Sequence, residues 1–300
     1  MIKGGRLGSL VDRIPKSTRS RLWRASVRVQ QAIRRPSASW RLLPDYLIAG
    51  GQRCGTTSLQ KYLIQHPDVV PPGVLKGIHY FDTNYDKGLA WYQSHFPLER
   101  VRRRRIAEGR VALTGEASPY YMFHPDIPRR IAAAVPNAKV IVLVRDPVDR
   151  AYSHYLHEVR RGFEDESFER ALDLEETRLA GEEARLRQDP AYISFEHQHH
   201  SYVARGRYID QLENMTKHIP REQILVISSE EMFRDAAATY QGVLDFLGLA
   251  PFLPDGFDAQ NANVYKDPID PAVRARLEEL FAEPNARLEA FVGRSFGWGP

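Results

Sequence analysis

Residues 46–63, YLIAGGQRCGTTSLQKYL, decide the fold. With the residues just before it, PDYLIAGG reads as a short buried strand that runs into a glycine turn. TTSLQKYLIQHP reads as a helix: Leu59, Tyr62 and Leu63 share one face, and His66-Pro67 stops it. The turn carries Gly50, Gly51 and Gly55, and the helix opens on Thr56, Thr57 and Ser58. A strand–turn–helix of this kind brings several backbone N–H groups to one point, and the helix dipole adds positive potential there. Glycines let the backbone close on an anion, and hydroxyls donate further hydrogen bonds. Arg53 adds a fixed, forked cation. The turn is an anion site by construction.

Gly50 and Gly55 have the spacing of the triphosphate-binding pattern G-x-x-x-x-G-K-[ST], yet Thr56 stands where that pattern has its lysine. The basic residue, Arg53, lies inside the loop instead. The candidate strand at 140–144 ends in Arg145 before Asp146, so no acidic strand end offers itself to Mg²⁺. The loop suits a ligand whose charge is met by protein cations and not by a metal.

Outward from this loop, AKVIVLVRDP (138–147) is the clearest central strand, with five apolar residues from Val140 to Val144. VDRAYSHYLHEVRRG follows as a helix ending at Gly162. IHYFD and VALTGEASPYY read as short strand-like runs. FEDESFERALDLEETRLAGEEARLRQ reads as a charged helical excursion, and YVARGRYIDQLENMTKHI as a further helix. QILVISSEEM is another buried strand and AAATYQGVLDFLGL another helix. Strands alternating with helices predict an α/β, P-loop-like fold of three layers, with a central, mostly parallel sheet and helices on both faces. Ligands in such sheets bind beyond the carboxyl ends of the strands. Residues 50–58 and 145–153 both fall there. Arg145 leaves the strand directly, and Ser153 lies eight residues on, in the next helix. The plain alternative for Arg145 is a salt bridge to Asp146 or Asp149. Two anion-binding strand ends in one sheet point to a ligand with two separate anionic groups.

The 300 residues are 43% hydrophobic and 27% charged, ordinary for a soluble globular protein. The single cysteine, Cys54, allows no internal disulfide and no cysteine-based zinc site. Residues 1–41 hold eleven Lys or Arg against one acid, a balance of +10, which leaves −6 for the remainder of a chain whose total is +4. The basic charge belongs to an arm (1–41) and not to the single domain expected over 42–300, which argues against a nucleic-acid enzyme. The arm has no continuous apolar run. Leu22, Ala25, Val29, Ala32 and Ile33 form a weak stripe that could lie on anionic lipid, the alternative being a solvated extension. The expectation is a cytoplasmic protein whose arm reads first as a solvated extension, with peripheral membrane contact through it as the alternative.

The two motifs together carry a resemblance. A loop written G-x-x-[KR]-x-G-T-[ST], followed by V-x-x-x-R-[DN]-P-x-x-R-x-x-S-x-[YF], resembles the sulfotransferases that use 3′-phosphoadenosine 5′-phosphosulfate (PAPS). SYVARGRYIDQL, with its Tyr-x-x-x-Gly-x-Tyr pattern, and the C-terminal FLGL and EPNARLEAFVG stretches are similar to later parts of that family. The likeness is greatest to the carbohydrate, heparan-type enzymes and their bacterial relatives. It implies that Gln52, Arg53, Cys54, Gly55, Thr56, Thr57 and Ser58 face the 5′-phosphosulfate, and that Arg145 and Ser153 hold the 3′-phosphate. It also implies cofactor contacts for Tyr208 and, in a late loop, for Tyr265 and Lys266. No metal is implied. The acceptor would be a carbohydrate, a glycolipid or another small molecule.

Sulfuryl transfer needs a proton acceptor for the attacking group and cations for the departing phosphate. Arg53 suits the second task, and Lys76 could bridge to the sulfate. LKGIHYFD (75–82) resembles a family stretch whose glutamate is the proposed base, but Gly77 stands in its place. The residues themselves offer His79 as the base with Asp82 to orient it, and Glu116 as a reserve. Competing readings are a P-loop kinase of a nucleoside or sugar, and a sulfotransferase fold that binds without catalysis. His197, His199 and His200 suggest a metal, but they lack nearby partners at ligand spacing and read instead as a loop or helix start.

Overall fold

The computed structural model describes residues 29–73, 77–257 and 268–299. Lys76, Tyr265 and Lys266 lie outside the described residues, as do residues 1–28 of the basic arm, including Leu22 and Ala25. Four strands, β1 (Tyr46–Gly50), β2 (Gly115–Ala117), β3 (Lys139–Val144) and β4 (Ile224–Ser228), form one sheet in the order β2-β1-β3-β4. Every pairing is parallel. Helices follow in chain order as α1 (Thr56–Leu63), α2 (Leu89–Gln93), α3 (Glu99–Ala107), α4 (Ile127–Ala134), α5 (Pro147–Arg161), α6 (Phe168–Leu179), α7 (Glu182–Gln188), α8 (Phe195–His199), α9 (Tyr208–Thr216), α10 (Ser229–Arg234), α11 (Ala236–Leu247) and α12 (Pro271–Val292).

The strands are apolar on both faces because both are covered. Leu47 and Ala49 of β1, with Val140, Val142 and Val144 of β3, join one core with Ile127 and Ile131 of α4 and Leu212 of α9. Tyr46 and Ile48, with Ile141 and Leu143, join a second core with Leu59 and Leu63 of α1 and Val243 and Leu244 of α11. This is the three-layer arrangement expected from the sequence.

Two expectations change. IHYFD is not a strand: residues 77–84 run as coil and turn, because Gly77 and His79 both take left-handed backbone, at φ 63° and 53°. The helix read over YVARGRYIDQLENMTKHI is regular only from Tyr208 to Thr216, after a separate 3₁₀ turn at Ala204–Gly206.

The chain leaves β1 for β2 on one side and reaches β3 on the other. The switch point of the sheet therefore lies between the carboxyl ends of β1 and β3.

Gly115 opens β2 directly against Tyr46. A Cβ there would sit 2.5 Å from both the Tyr46 ring and its carbonyl oxygen. Gly115→Ala is expected to lower unfolding free energy by about 1–3 kcal/mol, read as a lower urea midpoint at unchanged slope.

Candidate active site

The loop after β1 is tied to the end of β3. The Gly51 N–H donates to the Leu143 carbonyl at 2.5 Å, and the Cys54 N–H donates to the Gly51 carbonyl at 3.2 Å. Arg53 (φ 70°) and Gly55 (φ 92°) turn the chain into α1, whose N-terminus has no side-chain cap. Among the described residues, the N–H groups of Arg53, Gly55, Thr56 and Thr57 find no main-chain acceptor. Unpaired donors at a helix start suit an anion.

Cys54 and Tyr208 point inward. The Cys54 thiol is fully buried, 3.8 Å from the Tyr208 hydroxyl, and burial pushes its pKa up to about 11. The Tyr208 hydroxyl donates to the Arg145 carbonyl at 2.9 Å and accepts from the Arg145 N–H at 3.4 Å. These two side chains fasten the two loops from below, where the resemblance had implied ligand contact.

The sequence motifs meet directly. Arg53 Nε donates to Ser153 Oγ at 3.0 Å, so residues assigned to opposite ends of the ligand are neighbours. Asp146 does not hold Arg145: its carboxylate caps α5, accepting from the Val148 and Asp149 N–H groups. Asp149 lies 3.9 Å from Arg145 Nη2 but pairs more closely with Arg274, at 2.6 Å. Of the two acids expected for Arg145, Asp149 is the one in ion-pair range, and it is shared with Arg274.

Arg205 escaped the sequence reading. It is buried in the 3₁₀ turn before α9 and donates to Gln52 Oε1 in the loop after β1. It also donates to Ser201 Oγ (2.8 Å) and to the carbonyls of His197 (3.0 Å) and Gln198 (2.7 Å). Its guanidinium lies 5.0 and 4.9 Å from the ring centres of Tyr120 and Phe123. Burial lowers its pKa to about 10, which leaves it a cation at neutral pH. The available signal was its place inside the Tyr202-x-x-x-Gly206-x-Tyr208 stretch. Gly206 itself is required because a Cβ would sit 2.6 Å from Phe281.

The histidines of FEHQHHSY sit in and just after α8 and face separate partners. His197 is hydrogen-bonded to Tyr120 (2.6 Å), His199 to Glu158 (3.1 Å) and His200 to Glu196 (2.5 Å). Among the described residues, no group of three or more His, Cys, Asp or Glu is arranged to hold a metal ion.

His79 and Asp82 are brought together. His79 Nδ1 and Asp82 Oδ2 are 2.6 Å apart; the carboxylate is buried, whereas the imidazole is 39% exposed. The turn that carries them hangs on the end of β2. The Gly77 N–H donates to the Ala117 carbonyl (3.1 Å), the Ile78 N–H to Glu116 Oε2 (3.3 Å) and the His79 N–H to Ser118 Oγ (3.2 Å). A Cβ at Gly77 would lie 3.0 Å from both Cδ2 and Nε2 of His79. The imidazole therefore leans over the glycine.

Residues 43–267 match the family model described as "Sulfotransferase domain". The chain belongs to the sulfotransferase family. It is 32% identical over 279 residues to human heparan sulfate glucosamine 3-O-sulfotransferase 3B1, a match covering 85% of this chain and 65% of that relative. To the human 3-O-sulfotransferase 6 it is 31% identical over 282 residues, covering 86% of this chain and 75% of the relative. The crystal structure of a sulfotransferase from Alicyclobacillus acidocaldarius superposes with a TM-score of 0.61 at 33% identity, covering 85% of this chain and 98% of that one. The chain spans just under two thirds of the length of the first of these relatives.

Glu116, the reserve base of the sequence reading, lies beneath the His79 turn. It is buried, and its oxygens accept from the Ile78 N–H, Ser118 Oγ, Tyr92 Oη and Tyr121 Oη. Burial raises its pKa, against the lowering effect of these donors. With four donors gathered on it, Glu116 is a strut beneath the His79 turn. Glu116→Gln would turn one amide N–H₂ toward donors. It is expected to cost about 1–3 kcal/mol of stability, seen as a fall in thermal midpoint in step with any loss of activity.

Proposed function

We propose that this sulfotransferase moves a sulfuryl group from PAPS to a hydroxyl or amine of a carbohydrate, glycolipid or other small acceptor, by direct in-line transfer. The observation that carries the reading is the His79–Asp82 pair at 2.6 Å, with the imidazole over Gly77. Asp82, buried and also accepting from the Thr83 N–H, fixes the ring and its tautomer. The acceptor oxygen forms its bond to sulfur while its proton passes to His79 Nε2, and the bond from sulfur to the 5′-phosphate oxygen breaks. Arg53 and the unpaired N–H groups at the start of α1 take up the charge left on that phosphate. Arginine keeps its proton, so Arg53 acts by charge and not as an acid. Arg145 and Ser153 hold the 3′-phosphate, and Arg205, through Gln52, sets the loop between the two.

A carbohydrate acceptor is supported by the relatives named for the 3-O-sulfation of glucosamine in heparan sulfate. A cytoplasmic setting remains part of the proposal, consistent with the single, buried cysteine.

Calorimetry is expected to show that adenosine 3′,5′-bisphosphate binds and that Arg145→Ala weakens it roughly 10- to 100-fold, the loss of charge-assisted hydrogen bonds. No binding by the natural chain would overturn the donor. A thermal shift larger with ATP–Mg²⁺ than with the bisphosphate would favour a kinase instead.

His79→Ala is expected to lower kcat about 10²- to 10⁴-fold with bisphosphate affinity unchanged, and Asp82→Asn to lower it by a smaller factor. Full activity in His79→Ala would remove His79 as the base while leaving the donor site standing.

A further inference from the structure

The first described residues of the arm form a two-faced element. Residues 29–34 are helical and lead into a 3₁₀ turn, Arg35–Trp40. One face is pinned to the domain. Gln31 pairs with His95 Nε2 (3.0 Å) and accepts from Trp91 Nε1 (3.3 Å). Arg34 and Arg41 both donate to the Phe96 carbonyl, at 2.8 and 2.9 Å, and Ala38 is buried. At about 100° per residue, Val29 and Ile33 fall on the side opposite Gln31. Both are bare: Val29 is 58% exposed and Ile33 72%, and Trp40 at the end of the turn is 71% exposed. Leu89, on the neighbouring α2, is 39% exposed. Arg35, two residues after Ile33, and Lys87, two residues before Leu89, are both exposed. The 28 residues before them in sequence hold eight Lys or Arg against the single acid Asp12.

We propose that the outer face of residues 29–40 docks this protein onto an anionic lipid surface. Tryptophan and isoleucine side chains held out from a rigid base, with cations around them, match the boundary between acyl chains and acidic headgroups. Each nearby cation adds attraction for such a surface, and salt screens it. A nucleic acid would meet the charges and stack bases on Trp40, but it would gain nothing from Ile33 and Val29. Position also favours a surface role. Gln31 touches Trp91, the Trp91 ring centre is 6.4 Å from that of Tyr80, and Tyr80 is the residue after His79. The element that carries the docking face is thus packed beside the segment that carries the proposed base. The docking itself does not depend on the transfer reaction proposed above, and its test uses neither donor nor acceptor.

The test is co-sedimentation of the full chain with vesicles of phosphatidylcholine alone and of equal parts phosphatidylcholine and phosphatidylglycerol. Binding to the mixed vesicles is expected to exceed binding to the neutral ones about tenfold or more and to fall as salt is raised. The double variant Ile33→Ser, Trp40→Ser, checked for an unchanged thermal midpoint, is expected to lose about tenfold or more of the binding to mixed vesicles. Equal binding to both vesicles, or full binding by the folded double variant, would overturn the proposal. So would a heparin or DNA competitor that strips the natural chain and the double variant from vesicles equally well at the same concentration.

Discussion

The site depends on holding two strand ends together. β1 and β3 run side by side, and their carboxyl ends would splay unless something beneath the loops fixed the gap between them. The Gly51–Leu143 hydrogen bond closes it in the main chain, and the buried Tyr208 hydroxyl spans it again, gripping the N–H and carbonyl of Arg145 on one side and lying 3.8 Å from the Cys54 thiol on the other. With that spacing set, Arg53 and Ser153, a hundred residues apart, fall within hydrogen-bonding distance. The meeting of the two loops is thus a property of sheet topology first and of their side chains second.

A second layer of buried polar groups supports the first. Arg205 is a full cation inside the protein, and it is tolerated because oxygens of Gln52, Ser201, His197 and Gln198 surround it, with two aromatic faces alongside. Glu116 mirrors it under the neighbouring turn, as an acceptor gathering four donors. Groups of this kind contribute less to stability than to geometry, since each position they hold is specified by direction as well as distance. Together they place the loop after β1 and the His79 turn relative to one rigid sheet.

Much of this was legible in the sequence, and for a physical reason. Buried parallel strands must be apolar on both faces, so AKVIVLV and QILVIS declare themselves, and glycine turns at their ends mark where backbone must approach a ligand. The pairing of His79 with Asp82 was also readable, being local. What the sequence concealed was long-range and polar. IHYFD has strand composition, but left-handed backbone at Gly77 and His79 coils it into a turn, and nothing in its composition announces that. The inward aim of Cys54 and Tyr208, and the service Arg205 gives to Gln52, depend on contacts between residues about 150 positions apart. Of the tyrosines that make Glu116 a strut, Tyr121 is local and only Tyr92, on α2, comes from another segment.

Gly77 and His79 have a consequence for how such a site can change over time. Any side chain at 77 must adopt left-handed backbone and share space with an imidazole that Asp82 holds in place. The two positions are therefore coupled. A side chain gained at 77 meets the edge of the ring at 3.0 Å on backbone that glycine alone takes without strain, so what is tolerated there is decided by where the imidazole can go. The small residue that looks like a loss is part of what lets the turn keep its present arrangement.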